Sequence, residues 1–255
     1  LAIVSDDFSG YANTAALMRN LVSSVTPGTG TRGSTKYTDG YGAQLASIDN
    51  TVLYNGHPTL KLSQPAGSNT SASLSAGFPA PLTHIWYRGK IRFSPGYTTT
   101  GSSASSNAYK LLAWGWNSPD GSGRIEITNT TQYELYETVL SRSTGATVGG
   151  GNILTAGNIT TEWTDGGWYD YIVEVDHSTA NGVIRLWRAA DGATPVYQGQ
   201  AVEKMTDGSL LPALANISVG LNFNQIRTRD QAVWWGAWEV VDGIAHPNPF
   251  NVVAQ

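Results

Sequence analysis

Between Thr83 and Tyr97 the chain reads THIWYRGKIRFSPGY, and His84, Trp86, Arg88, Lys90 and Arg92 stand at every second position within it. In an extended strand such residues share one face, while Ile85, Tyr87, Gly89, Ile91 and Phe93 share the other. One face is therefore apolar, and the other is a ladder of imidazole, indole and cations. Cations about 7 Å apart on one ribbon repel. Each must stand in water, meet a carboxylate on a neighbouring strand, or face an anionic ligand. Glu126, Glu134 and Glu174 are the expected cross-strand partners, which is the commoner fate of such charges. The alternative is an acidic polymer held by Trp86, Arg88, Lys90 and Arg92.

A second group of candidates lies late in the chain. Asn222 and Asn224 share a face opposite Val219, Leu221 and Phe223, so their amides are placed to meet sugar hydroxyls beside Trp234 or Trp238. The string Trp234-Trp235-Gly236-Ala237-Trp238 alternates so that Trp234, Gly236 and Trp238 fall on one face and Trp235 on the other. A core needs only one such face, which leaves the second for a ligand, a partner subunit or the tail.

Other chemistries fit poorly. Glu174-Val175-Asp176-His177-Ser178-Thr179 supplies the first two acids of an E-x-D-x-x-E pattern without the third, and Glu134 and Glu137 fall on opposite faces, so a hydrolytic carboxylate pair is not expected. Asp39, Asp49 with Asn50, and Asp120 are loop acids able to hold a structural calcium ion, although turn formation accounts for them as well. No cofactor is otherwise expected. The four histidines are scattered without metal-ligand spacing. Gly145 to Gly151 lacks the GxGxxG spacing of a phosphate loop.

The elements that must position these residues are strands. From Trp168 to Gly192 the sequence WYDYIVEVDHSTANGVIRLWRAADG alternates Tyr169, Tyr171, Val173 and Val175 with Asp170, Ile172, Glu174 and Asp176, reverses at Asn181-Gly182, and returns through Val183 to Arg188. Further strands are expected at Leu1 to Phe8, Tyr41 to Tyr54, His57 to Gln64, Ala108 to Trp116, Arg124 to Thr128, Gln132 to Leu140, Asn216 to Asn224 and Ala232 to Val241. The one helix expected covers Ala15 to Leu21, capped by Thr14. Ser23 to Gly42 and Gly67 to Pro81 read as loops, and Tyr97 to Ser106 as a flexible connection. About a dozen strands with regular turn signals mark a sandwich or barrel.

Composition agrees. Only 13% of the 255 residues are charged, glycine occurs 29 times, and nine Trp and twelve Tyr supply aromatic surface suited to a core or to sugar rings. A net charge of −4 without a basic motif argues against nucleic acid. With no cysteine there is no disulfide framework and no thiol nucleophile. No apolar run reaches the ~20 residues of a membrane span, so no membrane partner is expected. The chain opens at Leu1, which points to a processed or trimmed N-terminus.

The Trp168 to Gly192 hairpin resembles one found late in concanavalin-A-like jelly rolls, the lectin and glucanase superfamily, at Trp168, Tyr171, Trp187 and Asp191-Gly192. That resemblance implies an all-β fold, a single jelly-roll β-sandwich over 1–245 with an extended tail over 246–255, and a first strand lying beside Trp234 to Gly243. The basic strand loosely resembles those of jelly-roll polysaccharide lyases. By that resemblance Arg88 or Arg92 would neutralise a uronate, and His84 or Tyr109 would take the proton. The expected function is recognition of an extracellular or surface polysaccharide without cleavage. The alternatives are a structural surface protein, such as a virion decoration or fibre-associated domain, and a uronate lyase. Phe250, Val252 and Val253 make the tail either a cover for its own domain or a latch for a neighbour in a homo-oligomer or lattice.

Overall fold

Alternation of apolar and polar side chains dictates pleated ribbons, and ribbons with one greasy face bury it by stacking. The computed structural model describes residues 2–18, 21–22, 37–41, 46–67, 72–97, 109–118, 121–129, 133–141, 147–156, 165–178, 183–190, 196–201, 213–222 and 228–252. Within them are the strands β1 (Ala2–Asp6), β2 (Leu21–Val22), β3 (Tyr37–Tyr41), β4 (Ala46–Tyr54), β5 (His57–Gln64), β6 (Ala72–Leu82), β7 (His84–Phe93) and β8 (Tyr109–Ser118). They continue with β9 (Gly121–Asn129), β10 (Tyr133–Ser141), β11 (Thr147–Ala156), β12 (Trp168–Asp176), β13 (Val183–Ala190), β14 (Val196–Ala201), β15 (Leu214–Asn222) and β16 (Gln231–Asp242). One helix, α1 (Thr14–Met18), accompanies them.

The strands form two eight-stranded sheets. Sheet A runs β14-β13-β12-β7-β16-β5-β4, with β1 also paired to β16; sheet B runs β11-β10-β9-β8-β15-β6-β3-β2. Neighbours are antiparallel except β2 with β3. The fold is an all-β jelly-roll sandwich. Its core holds one face of β7, with Ile85, Tyr87, Ile91 and Phe93 buried, together with Tyr171, Val173 and Val175 of β12 and Leu74, Ala76, Phe78 and Ile217 of sheet B. The first strand does lie along the last, with Ser5 opposite Glu239 and Asp6 opposite Trp238.

Four local expectations change. Asn13, not Thr14, caps the helix: its Oδ1 accepts the Ala16 N–H at 3.0 Å, whereas Thr14 Oγ1 accepts the Ile48 N–H at 3.1 Å. The stretch Gly67 to Pro81, read as loop, contains β6, whose buried Leu74, Ala76 and Phe78 alternate behind small Ser, Ala and Gly residues. Likewise β3 lies inside the expected loop Ser23 to Gly42, and the helix expected to reach Leu21 ends at Met18, with Leu21 starting β2. The Asn55-Gly56 turn is as read, with both residues at positive φ (49° and 80°), the pair a type I′ reversal requires.

A change of face occurs in β16. Trp235 lies opposite Ile91 and Ala237 opposite Lys90, so Gly236 is an extra residue, a bulge that resets the alternation. Trp235 and Trp238 therefore both point into the core, and Trp234 alone faces outward.

Beyond β16 the chain turns at Gly243, whose N–H bonds to His84 O at 2.9 Å, and folds back over sheet A. Asn248 closes a small loop, accepting the Val252 N–H at 3.1 Å and donating to Val252 O at 3.0 Å. Phe250 and Val252 then pack on Trp86, Ile172, Trp187 and Val241. The tail thus covers its own domain.

Candidate functional site

Residues directly opposite one another on adjacent strands share a face, so the register writes out the outer surface of sheet A. One row across the strands is Trp168, Arg92, Trp234, Lys61 and Ser47. The next is Asp170, Lys90 and Ala237, followed by Ile172, Arg88, Glu239 and Ser5. Last comes Glu174, Trp86 and Val241, the row beneath the tail.

Two of the three cations of β7, Arg88 and Lys90, meet a carboxylate, though not one of those expected. Asp170 accepts from Arg88 through Nε at 3.1 Å and Nη2 at 2.5 Å, and from Lys90 Nζ at 2.8 Å. The hydrogen bonds to Asp170 raise the Arg88 pKa against the opposing effect of burial. Glu126 and Glu134 belong to β9 and β10 of sheet B, away from the strands flanking β7. Glu174 does neighbour β7, but it takes His84 Nε2 at 3.1 Å and Arg185 Nη1 at 2.6 Å.

Beside this cluster lies an open groove of about 390 Å³ lined by Ser5, Asp6, Asp7, Tyr54, Arg88, Gly89, Lys90, Ala237, Trp238 and Glu239. Tyr54 forms an aromatic wall. Its ring lies over Gly236, where a Cβ would come within 2.5 Å of Tyr54 Cγ, and it meets Trp168 edge to face at 5.0 Å. Lys90 Nζ sits 5.9 Å from the Tyr54 ring centre. At the floor, buried Asp6 accepts the Phe8 N–H at 2.9 Å and the Tyr11 hydroxyl at 3.2 Å. Burial, then the Asp6 charge, pushes the Tyr11 phenol far up, so it remains a donor. Arg88 is 38% exposed, Lys90 13%, so Arg88 is the more reachable cation.

The sequence candidates divide among different places. Arg88 and Lys90 line the groove. Trp86 points outward as its position demands, yet it is only 3% exposed, stacked on Trp187 at 5.4 Å and met edge-on by Phe250 at 6.4 Å. It offers no stacking surface while the tail is in place. Trp238 is a core residue because of the Gly236 bulge, and reaches the groove only as part of its floor. Trp234 faces outward at 8% exposure between Lys61 and Arg92. Tyr109 starts β8 in sheet B, so it does not join His84, Arg88 and Arg92 on sheet A; the expected proton-transfer set is split between sheets. Asn222 ends β15 in sheet B, whereas Trp234 faces outward from sheet A, and Asn224 lies outside the described residues.

His84 is enclosed rather than presented. Gly243 crosses its ring so closely that a Cβ there would overlap the imidazole. Asp176 lies 4.0 Å from Nδ1, and its own pKa is lowered, despite burial, by the Ser178 hydroxyl and N–H and by His84 and His177. Of the loop acids weighed for calcium, Asp49 is committed to Thr51, Val52 and Trp234 donors, Asp39 lies in β3, and Asp120 is outside the described residues.

Sequence reasoning missed Asp170, Tyr54, Lys61, Ser5, Asp7 and Glu239. Asp170 had a signal: a carboxylate between Tyr169 and Tyr171 on a strand whose other polar residues, Glu174 and Asp176, share its face. Tyr54 and Glu239 had none, since their meeting depends on which strands flank β7.

No protein-family model matches the sequence, and no curated protein matches it. Solved structures are similar in fold. An alginate lyase from Aplysia kurodai aligns at 13% identity and TM-score 0.53 over 78% of this chain and 87% of that one. A GH131 β-glucanase catalytic domain from Podospora anserina aligns at 12% and 0.51 over 95% and 96%. A legume lectin-like domain from Entamoeba histolytica aligns at 7% and 0.50 over 95% and 98%. At such identities the shared property is the backbone architecture. The chain has the concanavalin-A-like jelly-roll fold.

Proposed function

We propose that this protein recognises a glycan along the outer face of sheet A, with the groove between β1, β7 and β16 as the binding centre. The observation that carries the reading is the groove's make-up: an aromatic wall, Tyr54, faces fixed hydrogen-bonding groups from Arg88, Lys90, Glu239, Ser5 and Asp7. Apolar sugar faces stack on such rings, and hydroxyls bond to such groups. The similar folds of a lectin-like domain, a glucanase and a lyase support a carbohydrate-related role.

Recognition fits this face better than cleavage. Asp170 is tied to Arg88 and Lys90, Glu174 to His84 and Arg185, and Asp7 to the Ser9 hydroxyl at 2.7 Å. Those three carboxylates suit orientation more than proton transfer, and Glu239 lies opposite Arg88 in the register. The test is a glycan array with the whole chain, followed by titration of a hit. Tyr54→Ala and Glu239→Gln each weaken binding about tenfold, a loss of ~1.4 kcal/mol. Binding indifferent to both substitutions, or release of shortened product from the hit, defeats the reading.

A further inference from the structure

The row Trp168-Arg92-Trp234-Lys61 crosses four adjacent strands next to the groove. Strands lie ~4.8 Å apart, so the two cations are two strands apart with an indole between them. Both are held against that ring, Lys61 Nζ at 5.6 Å and Arg92 Cζ at 5.9 Å from its centre. Trp234 is thus a spacer that fixes two positive heads, rather than a platform for a sugar.

Their charges differ in status from those of Arg88 and Lys90. Asp170 neutralises the latter pair. Among the described residues neither Lys61 nor Arg92 makes an ion pair, and Arg92 Nε is buried without an acceptor. The nearby acids are engaged by other donors. Asp49 accepts Trp234 Nε1–H at 2.9 Å as well as Thr51 and Val52 N–H groups, and Asp230 accepts the Ala66 N–H at 2.8 Å. Lys61 opens on a hollow of about 340 Å³ shared with Ser63, Gln64, Ser94, Gln231 and one carboxylate, Asp230, and Gln64 Nε2 there is also a buried donor without an acceptor. On the Arg92 side the packing is tight, since a Cβ at Gly166 would meet Pro95 at 2.9 Å and Arg92 Nη2 at 3.8 Å.

Two cations held in place, short of carboxylate partners and joined to a groove with an aromatic wall, are complementary to a chain bearing repeated negative groups. We propose that Lys61 and Arg92 form an anion-recognising subsite that makes the glycan ligand a polyanion carrying carboxylates or sulfates. Each cation takes one negative group, while neighbouring sugar units reach Tyr54 in the groove. This rests on the glycan reading and adds its charge class.

The test uses the full chain in affinity electrophoresis against two matched pairs, polygalacturonate with its methyl ester and dextran sulfate with dextran. The first pair reads carboxylates and the second sulfates. Expected is binding to at least one charged polymer roughly tenfold or more above its neutral counterpart, weakening with added salt. Lys61→Gln and Arg92→Gln each lower that binding about five- to tenfold, with far-UV circular dichroism confirming the fold. Lys61→Arg restores most of it. Equal binding of charged and neutral members, no binding of either charged polymer, or indifference to both substitutions overturns the subsite. A neutral glycan bound in a Tyr54-dependent manner would do so too while leaving the groove reading intact; a charged polymer bound through Lys61 and Arg92 but not Tyr54 would do the reverse.

Discussion

The ring of Tyr54 rests directly on Gly236, the extra residue of the β16 bulge. Two sequence-distant irregularities, a hairpin end and a bulge, thereby make one wall of the groove. Replacing Gly236 by Ala puts a methyl where the ring lies and must push Tyr54 off the sheet. Glycan binding should fall by about the same factor as in Tyr54→Ala, with a stability loss of about 1–3 kcal/mol in urea unfolding.

Asp170 gathers two cations on a mostly buried carboxylate. Asp170→Asn leaves Arg88 and Lys90 facing each other with a neutral amide, and destabilises the domain by about 1–3 kcal/mol, less than a fully buried pair because Arg88 is partly in water. A double-mutant cycle with Arg88→Met should return a coupling energy of about 1 kcal/mol or more.

Asp49 has its pKa lowered to about 2: burial opposes ionisation, but the Thr51 hydroxyl, the Trp234 indole and the Thr51 and Val52 N–H groups outweigh it. A folded-state pKa below the unfolded value means stabilisation that is complete above roughly 3.9 and lost as pH falls through about 2. The stability gap between wild type and Asp49→Asn should therefore narrow from pH 5 to pH 2.5. A gap that widens on acidification would contradict the assignment.

Phe250 is the tail's anchor, edge-on to Trp86 and with Arg88 5.6 Å from its ring centre. Phe250→Ala should cost about 1–3 kcal/mol, below the usual core value because the ring is only part-buried. It should also red-shift tryptophan emission as Trp86 gains water. Unchanged emission would mean that the tail does not shield that indole.

Much of the fold was legible in the sequence because its strands alternate strongly. The hairpin of β12 and β13, the two faces of β7 and the Asn55-Gly56 turn all follow from period and turn chemistry. β6 was not legible, since Ser, Ala, Gly and Pro carry little strand signal and its burial comes from packing against the opposite sheet. The site was half legible. Which face of β7 carried the cations could be read, but their partner could not, because pairing depends on strand order. Trp238 was placed on the wrong face for a different reason: a single inserted residue inverts everything after it, and the lone glycine inside that strand, the available sign of a bulge, was passed over.

Strand β16, the last of the described strands, lies at the middle of sheet A, between β7 on one side and β5 and β1 on the other. Until it arrives, the two halves of that sheet have open edges and no common hydrogen-bond ladder. Closure then joins segments separated by most of the polypeptide, the arrangement that gives high contact order and slow folding. Those unpaired edges stay exposed until β16 pairs, so refolding yield should fall steeply with protein concentration.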